Sequence, residues 1–322
     1  MMKHVAFLFP GQGAQVVGMG RDLYDESPAA REVYTRANRL LGFNVAQRCF
    51  EGPDEELTRT EICQPAIFTT SIAALEAARP LLCDRWVPKA AAGLSLGEYA
   101  ALVAAGALSF EDGLKLVWAR GQFMEEAARQ QPGTMAGVMG LAVSKIEAIC
   151  RMAGAEIANV NAPEQIVISG PKAAVDQAAV LARAQGAKRV VTLTVSGAFH
   201  SALMQPAAAK LAAVLASTPI HPPRLPVVSN VTAQPHGAPA TIRAQLTAQL
   251  TSPVRWEESM RDLLGLGIRT FVEFGPGTVL KGLLRRIEPA AEVLTVQTAR
   301  DVQALGDQVN ANPSCSSPAE SP

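Results

Sequence analysis

Gly93-Leu94-Ser95-Leu96-Gly97 fits the pattern G-x-S-x-G, in which a serine hydroxyl stands at the tip of a sharp turn between a strand and a helix. Glycines permit the turn, and the helix start behind it offers unpaired N–H groups and a positive dipole end to a developing oxyanion. A serine so placed becomes a nucleophile only beside a base. Standing alone, the pentapeptide is equally readable as a small-residue turn.

Four histidines can supply that base: His4, His200, His221 and His236. His4 precedes the first apolar run and is expected at the surface. His221 and His236 sit among prolines and are expected as solvated loop residues. His200, in Ser196-Gly197-Ala198-Phe199-His200-Ser201, lies where two structural units should meet, and is the expected base. The loop Pro10-Gly11-Gln12-Gly13-Ala14-Gln15 lacks the Gly-Lys-Ser/Thr ending of a phosphate-binding loop. A glycine-flanked backbone N–H there can instead help complete an oxyanion hole. Arg120 falls on the polar face of a predicted helix, where an ordinary surface arginine is the plain reading. A guanidinium in a pocket would instead bind a terminal carboxylate through two parallel charge-assisted bonds.

The elements that must position these groups follow from periodicity. The apolar run Val5–Phe9, stopped by Pro10-Gly11, reads as a buried strand, as do Lys89–Gly93, Pro226–Ser229 and Thr270–Phe274. Helical spacing marks Ala29–Leu41, Pro65–Leu82, Leu96–Ala105, Ser109–Ala128 and Val279–Arg286, with Ser109 and Asp112 placed like a capping pair. Strand, turn and helix in succession predict a parallel α/β sheet. Between them the rhythm changes: strand Thr134–Leu141, helix Val143–Met152, strands Glu156–Val160 and Gln165–Gly170, helix Lys172–Gln185, strand Arg189–Val195. That β-α-β-β-α-β order predicts a ferredoxin-like insert. The expected organisation is a core of residues 1–130 and 197–309, an inserted subdomain at 131–196, and a disordered Asn/Pro/Ser/Ala tail at 310–322.

Composition narrows the function classes. The chain has 322 residues, 48% hydrophobic and 18% charged, with zero formal net charge. That charge argues against general nucleic-acid binding. Five scattered cysteines without a CxxC pair argue against a disulfide framework or a zinc site and fit reduced thiols in a cytoplasm. The first apolar run is too short for a secretory signal, and no stretch nears the roughly 20 apolar residues of a membrane span. A cytoplasmic monomer, with no metal, cofactor, nucleic acid or membrane, is the expectation.

Taken together, these pieces resemble the malonyl-CoA:acyl carrier protein transacylases over nearly the whole chain to about residue 296. The resemblance rests on PGQGAQ at 10–15, QPAIF at 64–68, GLSLGEY at 93–99, Arg120-Gly121, NVNAPEQIVISG at 159–170, GAFHS at 197–201, QLTSPVRW at 249–256 and EFGPG at 273–277. It implies an α/β-hydrolase-like core with a ferredoxin-like insert. It also implies Ser95 as the acylated nucleophile, His200 as base, and the N–H groups of Gln12 and Leu96 as oxyanion donors. Arg120 would bind the malonyl carboxylate with Gln64 in support. The backbone at Gln249 would orient His200, Asn161 would line the cleft, and Phe199 would restrict the pocket to malonyl. Malonyl-CoA and acyl carrier protein are the implied partners, in supply to fatty acid synthesis. Lys188, Arg189, Lys281, Arg285 and Arg286 are candidates for a basic landing surface for an acidic carrier.

One residue departs from the family pattern: Leu94 stands where a histidine is usual, so no hydrogen bond can come from that neighbour. The alternatives are a malonyl transferase of a polyketide synthase or malonate decarboxylase system, a serine ester or thioester hydrolase, and a non-catalytic carrier-binding protein.

Overall fold

The computed structural model describes residues 3–82 and 86–310. Nine strands occur among them: β1 Lys3–Phe9, β2 Trp86–Gly93, β3 Thr134–Met139, β4 Glu156–Ala162, β5 Gln165–Gly170, β6 Arg189–Thr192, β7 Val227–Val228, β8 Thr270–Phe274 and β9 Glu292–Val296. β7-β2-β1-β8-β9 form a parallel sheet, and β4-β5-β3-β6 form an antiparallel one. The second sheet carries its two helices, Val143–Ala153 and Lys172–Ala184, in the ferredoxin-like order expected from the sequence.

Registry decides where chemistry can sit. Phe9 pairs with Gly93 across β1 and β2, and Leu8 pairs with Glu273 across β1 and β8. Three strands therefore end together, and the loops at Pro10, Leu94 and Gly275 open at one edge. Crevices at the carboxyl ends of parallel strands are the usual ligand sites of such sheets. The antiparallel sheet closes over that edge through a bridge between Asn159 and Val254, with Val160 N–H donating to the Val254 carbonyl at 2.9 Å.

Several boundaries differ from the sequence expectation. The helix placed at Pro65–Leu82 runs from Thr60 to Ala78 and encloses Pro65. The proline removes only a bond to the Glu61 carbonyl near the helix start, a small loss beside the burial of almost the whole helix. Gln64 is thereby set on a rigid helix. The strand expected to reach Val195 stops at Thr192; Leu193 N–H still bonds the Met135 carbonyl of β3 at 2.9 Å, and Leu193 and Val195 line the cleft. Ser109 does cap the helix Phe110–Gln130, accepting from Asp112 N–H at 3.0 Å. The tail expected from residue 310 lies outside the described residues save Asn310, which ends the helix Ala299–Asn310.

Glu273 is a buried acid inside a wholly buried strand. Its carboxyl oxygens accept the N–H groups of Leu280 and Lys281 at 3.0 and 2.9 Å, satisfying the start of the helix Val279–Ile287. Burial nevertheless pushes the group up to about 7. Glu273→Ala leaves one buried and one half-buried donor unpaired and is expected to cost about 1–3 kcal/mol, read as a lower urea midpoint with unchanged slope.

Candidate active site

The turn at Ser95 owes its shape to absent side chains. A Cβ on Gly93 would lie 1.9 Å from the Gly97 carbonyl carbon, and one on Gly97 would lie 2.1 Å from the Phe9 carbonyl oxygen. Strand and helix can approach this closely only with glycine at both places. Ser95 itself holds φ at 50°, the left-handed region that non-glycine residues avoid. Such strain persists when surrounding bonds over-determine it. Here Asn230 Oδ1 accepts Ser95 N–H at 2.6 Å, and Asn230 Nδ2 donates to the Gly93 carbonyl at 2.7 Å.

His200 occupies the same unusual region, with φ 57°. Its Nδ1–H donates to the Gln249 carbonyl at 2.8 Å. A carbonyl only accepts, so the proton sits on Nδ1 and leaves a lone pair on Nε2. That lone pair faces Ser95 Oγ at 2.8 Å. Burial first, and the nearby Arg120 charge second, lower His200 to about 4, so the imidazole is a neutral acceptor at ordinary pH.

Arg120 is not the surface residue that its helix face suggested; it is 1% exposed. The helix Phe110–Gln130 is packed by the helices Thr60–Ala78 and Gln205–Ser217, which leaves little of its circumference for solvent. The guanidinium donates through Nη1 to Gln64 Oε1 at 2.8 Å, and through Nη2 to Ser95 Oγ and Gln249 Oε1, both at 3.0 Å. Burial lowers its pKa. A positive group, a serine hydroxyl and an imidazole thus converge at the floor of one cleft of about 330 Å³.

The remaining expected residues fall around this floor. Gln12, Leu96, Asn161 and Phe199 line the cleft, and Gln64 lies behind Arg120. Gln12 sends its side chain to Thr60 Oγ1 at 3.4 Å. Leu96 stands at the N-terminus of the helix Gly97–Ala104, where the turn bonds are made by the N–H groups of Gly97, Glu98 and Tyr99. Asn161 Oδ1 is buried in the cleft wall without a protein partner. Met124, Met135, Val167, Leu193 and Val195 join Phe199 in an apolar wall, and Leu94 lines the cleft where the family resemblance led one to look for histidine.

Sequence reasoning missed a polar network beneath the turn. His221 is exposed as expected, but His236 is buried, and its Nε2 meets Glu98 Oε1 at 2.6 Å. A short proline-flanked segment looks solvated from sequence, yet His236 N–H bonds the Val227 carbonyl and draws the segment against the sheet. Glu98 Oε2 also accepts from Gln249 Nε2 at 2.7 Å and from Asn230 N–H at 3.1 Å. The available signal was Glu98 itself, an acid one residue beyond the glycine of the serine motif.

Among the described residues no group of three or more His, Cys, Asp or Glu side chains could hold a metal ion, and no helix is long and apolar enough to cross a membrane. The acyl transferase domain family matches residues 6–307. The malonyl CoA-acyl carrier protein transacylase of Bacillus subtilis strain 168 is 44% identical over 307 residues, spanning 94% of this chain and 96% of the relative. That of Staphylococcus aureus strain MRSA252 is 40% identical, over 95% and 99%. Among solved structures, the transacylase of Coxiella burnetii superposes with a TM-score of 0.92 at 39% identity, covering 96% of this chain and 98% of its own. A malonyl-transacylase solved in complex with a type II polyketide synthase acyl-carrier protein gives 0.91 at 36% identity, over 95% and 99%.

Proposed function

The chain belongs to the malonyl-CoA:acyl carrier protein transacylase family, and from that premise we propose that it moves malonyl from coenzyme A to the phosphopantetheine thiol of an acyl carrier protein through an ester on Ser95. The observation that carries this reading is the convergence of Ser95, His200 and a buried arginine on one cleft floor. A cationic dead end behind the nucleophile suits an acyl group that ends in a carboxylate. Paired and desolvated there, the two charges attract far more strongly than in water.

His200 Nε2 accepts the Ser95 proton as Oγ attacks the thioester carbonyl. The oxyanion is held by the backbone N–H groups of Gln12 and Leu96. Collapse breaks the C–S bond, His200 returns the proton to the departing sulfur, and malonyl remains as the serine ester. The carrier thiol then loses its proton to His200 and attacks the ester, and the proton passes back to Ser95 Oγ. The Gln249 carbonyl holds the imidazole in place of the carboxylate of a conventional triad, while Gln64 holds the guanidinium. Asn161 and Phe199 shape the passage for the substrate arm. Residues 131–196 act as an inserted wall on a catalytic core of 1–130 and 197–309. Lys281, Arg285 and Arg286 are exposed on the helix whose first residue, Val279, lines the cleft, and offer an acidic carrier a surface beside its mouth.

The test is malonyl-CoA turnover with and without a carrier bearing its phosphopantetheine. Transfer to the carrier thiol, with water a poor acceptor, supports the proposal. Hydrolysis at the same rate whether or not carrier is present would make the protein a thioesterase. Likeness to the transacylase solved with a type II polyketide synthase carrier favours a second reading, service to polyketide assembly. Comparison of a fatty-acid carrier with a polyketide carrier separates the two.

A further inference from the structure

Glu98 is 0% exposed, as is its hydrogen-bond partner Gln249. An acid so placed must have its charge answered by donors, by a counter-charge, or by a proton. Every group that reaches it is a nitrogen: the His236 ring, the Gln249 side-chain amide and the Asn230 backbone. A carboxylate matches such a shell, because the Gln249 amide nitrogen and the Asn230 N–H can only donate to it. His236 meets Glu98 through Nε2, and its Nδ1 is buried with no partner. A lone pair tolerates that position better than an N–H does, which makes Nε2 the donor to Glu98. The charge on Glu98 is therefore not answered by His236.

The nearest answer runs through one side chain. Gln249 gives its Nε2 hydrogens to Glu98 Oε2 and to the Ser95 carbonyl, and takes Arg120 Nη2 on its Oε1. The amide is held from both ends, with its dipole aligned from the guanidinium to the carboxylate. The same Gln249 supplies the backbone carbonyl that fixes His200, and Asn230, anchored on Glu98, fixes Ser95. One buried acid thus touches the supports of nucleophile, base and guanidinium without touching the cleft.

We infer that Glu98 is a positioning residue and the resident counter-charge of Arg120, linked to it through the Gln249 amide, and that it moderates the grip of Arg120 on an incoming carboxylate. This rests on the malonyl reading of the site. Before malonyl binds, Arg120 is balanced by Glu98; when malonyl enters, the guanidinium is shared between two anions. Release of the malonyl group to the next thiol is eased by that sharing.

The binding test uses the Ser95→Ala background, in which no ester forms. Adding Glu98→Gln keeps an oxygen for Gln249 and Asn230 but removes the charge. It is expected to tighten malonyl-CoA binding on the order of tenfold and to leave the binding of acetyl-CoA, which has no carboxylate, unchanged. His236→Gln disturbs the same cluster without altering its charge, and leaves the malonyl-to-acetyl affinity ratio at the parental value. Equal shifts for both ligands in Glu98→Gln, or a ratio moved as far by His236→Gln, would overturn the inference.

Stability provides the second arm. Arg120→Met strands Glu98 without its counter-charge and lowers the melting temperature; adding Glu98→Gln restores part of the loss, including where Glu98→Gln alone folds poorly. Additive losses mean the two groups are uncoupled, and the inference fails. Absence of malonyl transfer by the unmodified protein would instead overturn the functional reading itself, so the two failures are distinguishable.

Discussion

His200→Ala lowers malonyl transfer by about 10²–10⁴-fold, the usual contribution of a positioned base, and leaves the affinity for malonyl-CoA nearly unchanged. The imidazole is spent on Ser95 and on the Gln249 carbonyl, so its loss acts on the reacting proton rather than on substrate binding. The same geometry fixes a pH dependence. Only the neutral ring accepts a proton, and burial followed by the Arg120 charge holds it down to about 4. Modification of Ser95 by an uncharged sulfonyl fluoride, a reagent with no acid of its own to titrate, is therefore expected to rise with pH through about 4 and to stay flat through neutrality. A limb near the ordinary histidine range would mean that the ring is solvated. With malonyl bound, its carboxylate offsets the Arg120 charge, so the limb of kcat is expected at higher pH than that of kcat/KM.

Arg120→Ala has the second large effect, and its signature is selectivity. Removing one partner of a buried, hydrogen-bonded charge pair costs about 2–5 kcal/mol, which corresponds to a fall in kcat/KM for malonyl-CoA of roughly 30-fold to several thousand-fold. An acyl-CoA without a terminal carboxylate loses no such pair. The ratio of malonyl to acetyl turnover is therefore expected to collapse, measured with both thioesters on the same preparation. A parallel loss for both substrates would place Arg120 in support of Ser95 Oγ, to which it donates at 3.0 Å, rather than in carboxylate recognition. The Gln64 bond to Nη1 explains why lysine is a poor replacement: an ammonium cannot reach Gln64, Gln249 and a ligand in one plane.

What the sequence disclosed and what it hid follow from the range of the interactions. The serine turn was legible because its constraints are local: two glycines, a strand before and a helix after, within five residues. The two-sheet architecture was legible because strand and helix periods differ, and the switch at Pro132 is a change of rhythm. His200 was reached by elimination among four histidines, and its partners came from the family resemblance. Arg120 misled from periodicity alone. A helix face carries no mark of a second layer packed over it, and the helices packed around this one, Thr60–Ala78 and Gln205–Ser217 foremost, turn its polar side inward. His236 misled for the same reason, since Glu98 is 138 residues away in sequence. The side chain of Gln249 was also unforeseen: the resemblance offered its backbone, whereas its amide joins Arg120, Ser95 and Glu98. Leu94 is accommodated without strain of its own, lining the cleft and packing against the core beside β2.

Whether Ser95 carries the malonyl group is read from the mass of the protein after brief exposure to malonyl-CoA, with peptide mapping of the adduct. One malonyl per chain is expected, on Ser95, discharged by a carrier thiol and absent from Ser95→Ala. An adduct on another residue, or transfer that survives in Ser95→Ala, would contradict it.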